Sequence, residues 1–377
     1  MKKFVFTQIA CFALAVSANA QFTYGNLAVL RAGDGVQTLA NTGNSVFIDQ
    51  FTTGGSYVNS VTIPNSGASA LVIGGNSSSE GALVRSSDGL RLTFMGYNLT
   101  VGIPYGSAIA NTTGATVARG VGQVNAAGAY NLAFTETTLF VGNGGATAGN
   151  PRSVVNDGGN NYWGVGSGNA ASTRGLGYLG TASGLASITN GQSPRVVDIV
   201  GGNLTYSSQT ASAEGIYQVT GTPTSGLQYV PLFLPTGASS SPYDFAFNAG
   251  MSLAYVADDR TAAGGGIQRW DWNGSSWTLT YTLSTGTGTG GRGLAVDFSG
   301  VNPILYATTT ETSANRLITI TDTGAGSIFS TLSTAGANQV YRGLEFAPGV
   351  VPEPSTAALL GVGLLVVWNR FRSGRKV

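Results

Sequence analysis

The chain has 377 residues, of which 42% are hydrophobic, 10% aromatic and only 9% charged, with a net charge of +1. A globular chain usually carries about 25% charged residues, so the surface here must be built largely from Gly, Ser, Thr and Asn, while the apolar and aromatic content argues for a packed core. A near-neutral balance supplies no basic field for nucleic acid, and the lack of histidine removes Ser-His-Asp and Cys-His catalysis, imidazole-held metals and imidazole pH sensing.

In chain order, Met1, Lys2 and Lys3 form a short positive region, Phe4 to Val16 an apolar one, and Ala18, Asn19 and Ala20 a small-residue cleavage signature. This pattern predicts a cleaved N-terminal signal helix over 1–20, with the mature chain starting at Gln21. The only cysteine, Cys11, lies inside that peptide, and Gln8 to Ala10 before it do not fit a lipoprotein signal. The mature chain is therefore expected to fold without disulfides or thiolate-held metal. Residues 21–350 form the remaining body, about 330 residues, enough for one large domain.

That body repeats. A short strand beginning at Arg or Tyr ends six to eight residues later at a glycine, in Arg152–Gly158, Arg195–Gly202, Tyr243–Gly250, Arg292–Gly300 and Arg342–Gly349, with a weaker copy at Ala82–Gly89. From residue 158 onward the spacing is about 44 to 50 residues, the size of one four-stranded propeller blade.

Each copy continues alike. Second strands are expected at Leu90–Tyr97, Asn161–Val165, Leu204–Ser207, Leu253–Ala257 and Ile304–Thr308. Third strands fall at Gly120–Val124, Gly175–Leu179, Gly215–Val219, Gly266–Trp272 and Leu317–Thr321. Fourth strands fall at Tyr130–Phe134, Leu185–Ile188, Tyr229–Leu234, Trp277–Leu283 and Ile328–Leu332. These runs are β-branched and aromatic and are bounded by Gly, Asn, Asp and Ser. No long segment of the body has a helical period.

The copy at Arg342–Gly349 has only its first strand, and Asn26–Leu30, Val46–Phe51 and Tyr57–Ile63 supply the other three. The expected fold is all-β: a β-propeller of six four-stranded blades, with one blade shared between the two ends of the chain so that no sheet edge is left open. The long stretch 64–118 leaves room for a seventh blade. A β-helix, whose coils are usually much shorter than about 45 residues, and stacked sandwiches are the alternatives.

Arg152, Arg195, Tyr243, Arg292 and Arg342 hold equivalent positions at the starts of the innermost strands, near one mouth of the channel. They suit an anion such as an acidic sugar, or bonding to loop carbonyls between blades. Asp157, Asp198, Asp244, Asp297 and Glu345 lie on or beside the same strands, not at one depth; a pair of them would be the weakly indicated acid and base of a glycoside hydrolase. Asp258, Asp259 and Asn156–Gly158 offer oxygens to Ca²⁺ but lack a full calcium loop and read as turns. The Gly-rich runs Gly142–Gly145, Gly264–Gly266 and Gly286–Gly291 lack a Walker Lys-Ser/Thr and a following helix, so they read as loops. Trp163, Trp270, Trp272 and Trp277 suit core packing better than a sugar-stacking patch. No cofactor, metal site or catalytic residue is expected.

The last 27 residues carry the most specific signal. Val351, Pro352, Glu353 and Pro354 precede an apolar run from Ala357 to Trp368, and then Arg370, Arg372, Arg375 and Lys376. The prolines hold an extended, accessible stretch. The apolar run is expected to form a short C-terminal hydrophobic helix; at about 12 residues it is short of the roughly 20 that span a bilayer comfortably, and the basic end would stay cytoplasmic. This order resembles the PEP-CTERM sorting signal over residues 351–377. The resemblance implies export in a Gram-negative-type bacterium, transient inner-membrane anchoring, processing by an exosortase-type enzyme and delivery to the cell surface or extracellular matrix. Proteins with this tail are associated with exopolysaccharide and biofilm. A non-catalytic binding or scaffolding protein, with a polysaccharide or another surface protein as partner, is therefore expected ahead of a secreted carbohydrate-active enzyme on the same scaffold.

Overall fold

The computed structural model describes residues 21–349 except 104, 106–107, 181–185 and 190–191. The signal helix with Ala18 and Ala20, the sorting motif Val351–Pro354 and the apolar C-terminal run lie outside the described residues.

Among the described residues, twenty-four strands form six four-stranded antiparallel sheets, each a propeller blade. Blade 1 combines β1 (Leu27–Ala32), β2 (Val46–Phe51) and β3 (Tyr57–Thr62) with β24 (Val340–Phe346). Blade 2 holds β4 (Val84–Arg85), β5 (Arg91–Tyr97), β6 (Arg119–Asn125) and β7 (Tyr130–Glu136). Blade 3 holds β8 (Pro151–Asn156), β9 (Tyr162–Gly166), β10 (Gly175–Tyr178) and β11 (Ala186–Ser187). Blade 4 holds β12 (Pro194–Val200), β13 (Asn203–Ser208), β14 (Gly215–Val219) and β15 (Leu232–Pro235). Blade 5 holds β16 (Pro242–Phe247), β17 (Leu253–Asp258), β18 (Gly266–Trp272) and β19 (Trp277–Leu283). Blade 6 holds β20 (Gly291–Asp297), β21 (Ile304–Thr309), β22 (Arg316–Thr321) and β23 (Phe329–Thr334).

Local chemistry sets these hairpins. Between β12 and β13, Val200 pairs with Asn203, and Gly201 and Gly202 sit at φ +57° and +80°. A two-residue turn with positive φ at both positions matches the twist of its strands and favours glycine. The blades then bury their apolar faces against one another: Val84, Trp163, Tyr206, Val256, Trp270 and Trp277 belong to one core cluster that spans blades 2 to 5. Innermost strands contact each other in the ring order β4, β8, β12, β16, β20, β24.

The seam is the one read from the sequence. β24 pairs antiparallel with β1, from Leu27 opposite Phe346 to Ala32 opposite Val340. Beyond the strand, Ala347 N donates to Asn26 O at 2.8 Å and Gly349 N to Gly89 O at 3.0 Å. Closure therefore rests on main-chain ladders at the ends of the body, which removes two aggregation-prone edges.

Three expectations change. Among the described residues the stretch 64–118 holds no seventh sheet: it contributes β4 and β5, the single bridges Asn44–Ile73 and Val72–Tyr97, the one-turn 3₁₀ segment Ile109–Asn111, and a small core of Val72, Tyr97, Leu99, Ile109 and Val117. Arg119, fully buried, pins this insertion by donating to the carbonyls of Phe140, Val117, Thr112 and Gly149. The first strand of blade 2 shrinks to Val84–Arg85. The last strand of blade 4 begins at Leu232, three residues late, because Tyr229 is 91% exposed and has nothing to pack on. In blade 3 the outer strand is Ala186–Ser187, and the expected first residue, Leu185, lies outside the described residues.

Candidate functional site: an arginine mouth and a carboxylate chamber

The innermost strands start at one mouth of the central channel and end at the other. Near the start, five of the six carry a register shift. In β12, Arg195 and Val196 share the single partner Ser207. In β16, Tyr243 and Asp244 share Ala257; in β20, Arg292 and Gly293 share Thr308; in β24, Arg342 and Gly343 share Leu30. Arg152 is the extra residue of β8. A bulge re-aims side chains. Here it lets residues three apart, such as Arg195 and Asp198, both serve the channel, which strict alternation forbids.

Two of the bulge amides are satisfied by hydroxyls that also tie blade to blade, and a third, Gly343 N of β24, donates to Gly81 O before blade 2 at 2.8 Å. Thr308 Oγ1 accepts from Gly293 N at 2.9 Å and donates to Arg342 O at 2.6 Å. Ser207 Oγ accepts from Val196 N at 3.2 Å and donates to Tyr243 O. Blade 5 has Ala257 in this place, and Asp244 takes over, with Oδ2 accepting from Leu294 N of blade 6 at 2.9 Å. The approach is tight enough to require glycine after two of the arginines. A Cβ on Gly293 would lie 2.7 Å from Arg342 O, and one on Gly343 would lie 2.2 Å from Leu83 N.

The ring residues are thereby held rigidly. Arg152, Arg292 and Arg342 are 8%, 5% and 5% exposed and Tyr243 2%. Each arginine spends part of its fork on protein: Arg152 on Pro194 O at 2.7 Å and Ser193 Oγ, Arg342 on Gly75 O at 2.9 Å, Arg195 on Gln209 Oε1, and Arg292 on Asp259 at 3.7 Å. Blade stitching is thus one of their roles. Yet among the described residues the Nε atoms of Arg152, Arg195, Arg292 and Arg342 are all buried without a hydrogen-bond partner. Tyr243 fills the fifth place with its ring between two cations, 5.8 Å from the Arg195 guanidinium and 5.6 Å from that of Arg292. A neutral aromatic there separates like charges and offers its π face to both.

Burial and mutual repulsion act on these cations. Burial, then Arg195, pulls Arg152 down to about 10, and burial, then Arg292, pulls Arg342 down to about 9. Glu80 works against both shifts. It is buried and accepts from Gly74 N at 2.7 Å, Tyr97 OH at 2.8 Å and Asn150 Nδ2. Sequence reading missed Glu80, because it precedes the weak blade 2 repeat and aligns with no ring residue.

The far half of the channel is a chamber of about 410 Å³ that opens at the hairpin turns. Three of the five carboxylates singled out in the sequence meet there: Asp198, Asp244 and Glu345, with Arg85 as the cation among them and Phe245 and Phe247 on the wall. Each is tied to backbone amides, Asp198 to Ile199 N at 2.7 Å, Glu345 to Phe346 N at 2.7 Å, and Asp244 to Phe245 N and Leu294 N, both at 2.9 Å. Burial raises all three, Glu345 to about 7 and Asp244 well above the usual carboxylate range. Asp157, in the β8–β9 turn, and Asp297, at the end of β20, are elsewhere, accepting from Gly159 N and Ser299 N at 2.8 Å.

The remaining candidates resolve into structure. Asp258 pairs with Arg260 at 2.7 Å and Asp259 accepts from Ser241 Oγ, so neither is free for a cation. Among the described residues no cluster of three acidic side chains suits a metal. Arg260 NH2 donates to Gly264 O and Arg316 NH2 to Thr285 O, bracing the two glycine-rich loops beside them. Trp163, Trp270 and Trp277 are core; Trp272, at 39% exposure, sits at a strand end against Trp277.

Residues 350–373 match the PEP-CTERM protein-sorting motif. The chain is thus a six-bladed β-propeller with a PEP-CTERM sorting motif, which implies an exported, cell-surface-associated protein processed by an exosortase. No curated protein matches the chain. Among solved structures it is similar to TolB from Acinetobacter baumannii, with 11% identity and a TM-score of 0.52 over 86% of this chain and 67% of that one. It is also similar to a putative 6-phosphogluconolactonase from Bacteroides fragilis, at 13% identity and TM-score 0.48 over 89% and 85%. A periplasmic gluconolactonase from Pseudomonas aeruginosa gives 15% identity and TM-score 0.45 over 82% and 83%. At 11% identity the likeness to TolB is one of fold, which many functions share.

Proposed function

We propose that the protein is a non-catalytic surface or matrix component whose propeller binds an acidic exopolysaccharide at the arginine mouth. The observation that carries this reading is the set of four guanidiniums around one opening whose buried Nε atoms have no partner among the described residues. Buried donors left unmade are costly, and a carboxylate is the planar acceptor a guanidinium fork fits. The carboxylates in the chamber are committed to main-chain amides, which favours a structural role for them. The test is a glycan array probed with the exported chain, run beside a turnover assay on the glycans it retains. Retention of uronate-bearing glycans without cleavage supports the proposal; retention of neutral glycans alone overturns it.

One observation favours a second reading, a carbohydrate-active enzyme. Glu345, held at about 7, shares a chamber with Asp198 and Asp244, and a carboxyl raised in this way is what a general acid requires. Cleavage that is lost in Glu345→Gln would establish it.

A further inference from the structure

Both export segments join the disc on one face, and it is not the face that carries the arginines. The sorting motif begins at residue 350, directly after Gly349. Gly349 N donates to Gly89 O in the β4–β5 turn, and Ala347 N donates to Asn26 O, just before β1. At the other end, Phe22 N donates to Ala126 O in the β6–β7 turn at 2.9 Å, and Gln21 O accepts from Asn59 Nδ2 at 3.2 Å. All of these points lie where innermost strands finish, on the carboxylate side. Arg342 stands at the opposite end of β24.

The connection is too short to reverse this arrangement. Seven residues, 350–356, separate Gly349 from the apolar run, a reach of at most about 25 Å when fully extended. Because β24 is the innermost strand, a segment turning the disc over would have to cross the blade, about 14 Å at the inter-strand spacing. It would then climb the roughly 23 Å height of a seven-residue strand.

We infer that the protein held by its sorting segment faces that attachment with its carboxylate side and presents the arginine mouth outward. Where this joins the proposed function, and resting on it, the anion at the mouth is supplied by a polymer outside the envelope and not by phosphates of the lipid surface that holds the chain.

The cysteine-free mature body allows a direct test, since Cys11 lies in the predicted signal peptide. Ala337→Cys places an exposed thiol in the β23–β24 loop at the arginine face, and Val301→Cys places one in the β20–β21 turn at the opposite face. The full chains, in spheroplasts of a host without the processing enzyme, are treated with a bulky maleimide–polyethylene glycol, then again after detergent solubilisation. The inference predicts labelling of Ala337→Cys several-fold faster than Val301→Cys in spheroplasts, with the difference abolished by detergent. Equal rates in spheroplasts, or faster labelling of Val301→Cys, overturn it. The readout needs no ligand, so a failure of glycan binding leaves it unaffected.

Discussion

Thr308 Oγ1 donates to the carbonyl of Arg342 at 2.6 Å while accepting from Gly293 N at 2.9 Å. One hydroxyl on blade 6 therefore fills a bulge in its own sheet and fixes the ring residue of blade 1. Thr308→Ala leaves a buried amide and a buried carbonyl short of a partner, and should cost about 1 to 3 kcal/mol. Thr308→Ser should recover most of that loss. Urea unfolding of the three chains checks it; an unchanged midpoint in Thr308→Ala would remove the hydroxyl bridge from the account.

Gly343→Ala should be at least as damaging, by about 1 to 3 kcal/mol of overpacking. The new Cβ would meet Leu83 N at 2.2 Å and Leu83 Cβ at 2.7 Å, across the boundary between blades 1 and 2. Thermal unfolding reports the cost, and a chain that tolerates alanine there would mean that the seam is looser than described.

Deleting the tail and deleting the strand before it should have opposite consequences. A chain ending at Val350 retains β24, the Ala347–Asn26 bond and the Gly349–Gly89 bond, and should unfold at the temperature of the full body. A chain ending at Gln339 loses the inner strand of blade 1, exposes the edge of β1, and should aggregate. Circular dichroism and size-exclusion chromatography separate the two outcomes.

The chamber predicts a pH dependence of known sign. Burial raises Glu345 from 4.5 to about 7, against the pull of Arg85. The folded chain then keeps a proton that the unfolded chain releases, so this contribution is full below the unfolded value and is lost as pH rises through about 7. Glu345→Gln should flatten its share of that decline, as read from denaturant midpoints at about pH 5 and about pH 8. A wild-type midpoint that rises across this window would contradict the burial of the carboxyl.

Much of this was legible in the chain. The Arg-Gly-Leu of 292–294 and of 342–344 marked equivalent ring positions, and the lone first strand at 342 required three partners from the N-terminal end. The reason for the glycine, contact with the next blade's backbone, was not legible. Nor was the bulge. Simple alternation separates Arg195 from Asp198, and only the extra residue brings both to the channel. The paired hydroxyls closing the second strands, Ser207–Ser208 and Thr308–Thr309, were a usable signal for it. Glu80 and Arg119 left no trace of their roles, because they act through irregular segments where no period exists.

The most direct measurement is calorimetric titration of the exported chain with an oligouronate, beside Arg292→Met/Arg342→Met and a neutral oligosaccharide of equal length. Binding by the wild-type chain, weakened at least about tenfold in the double variant and by added salt, is the predicted result, since charge-assisted bonds contribute about 1.5 to 3 kcal/mol each. Equal affinity in the double variant, or preference for the neutral sugar, would contradict an anion-binding arginine mouth.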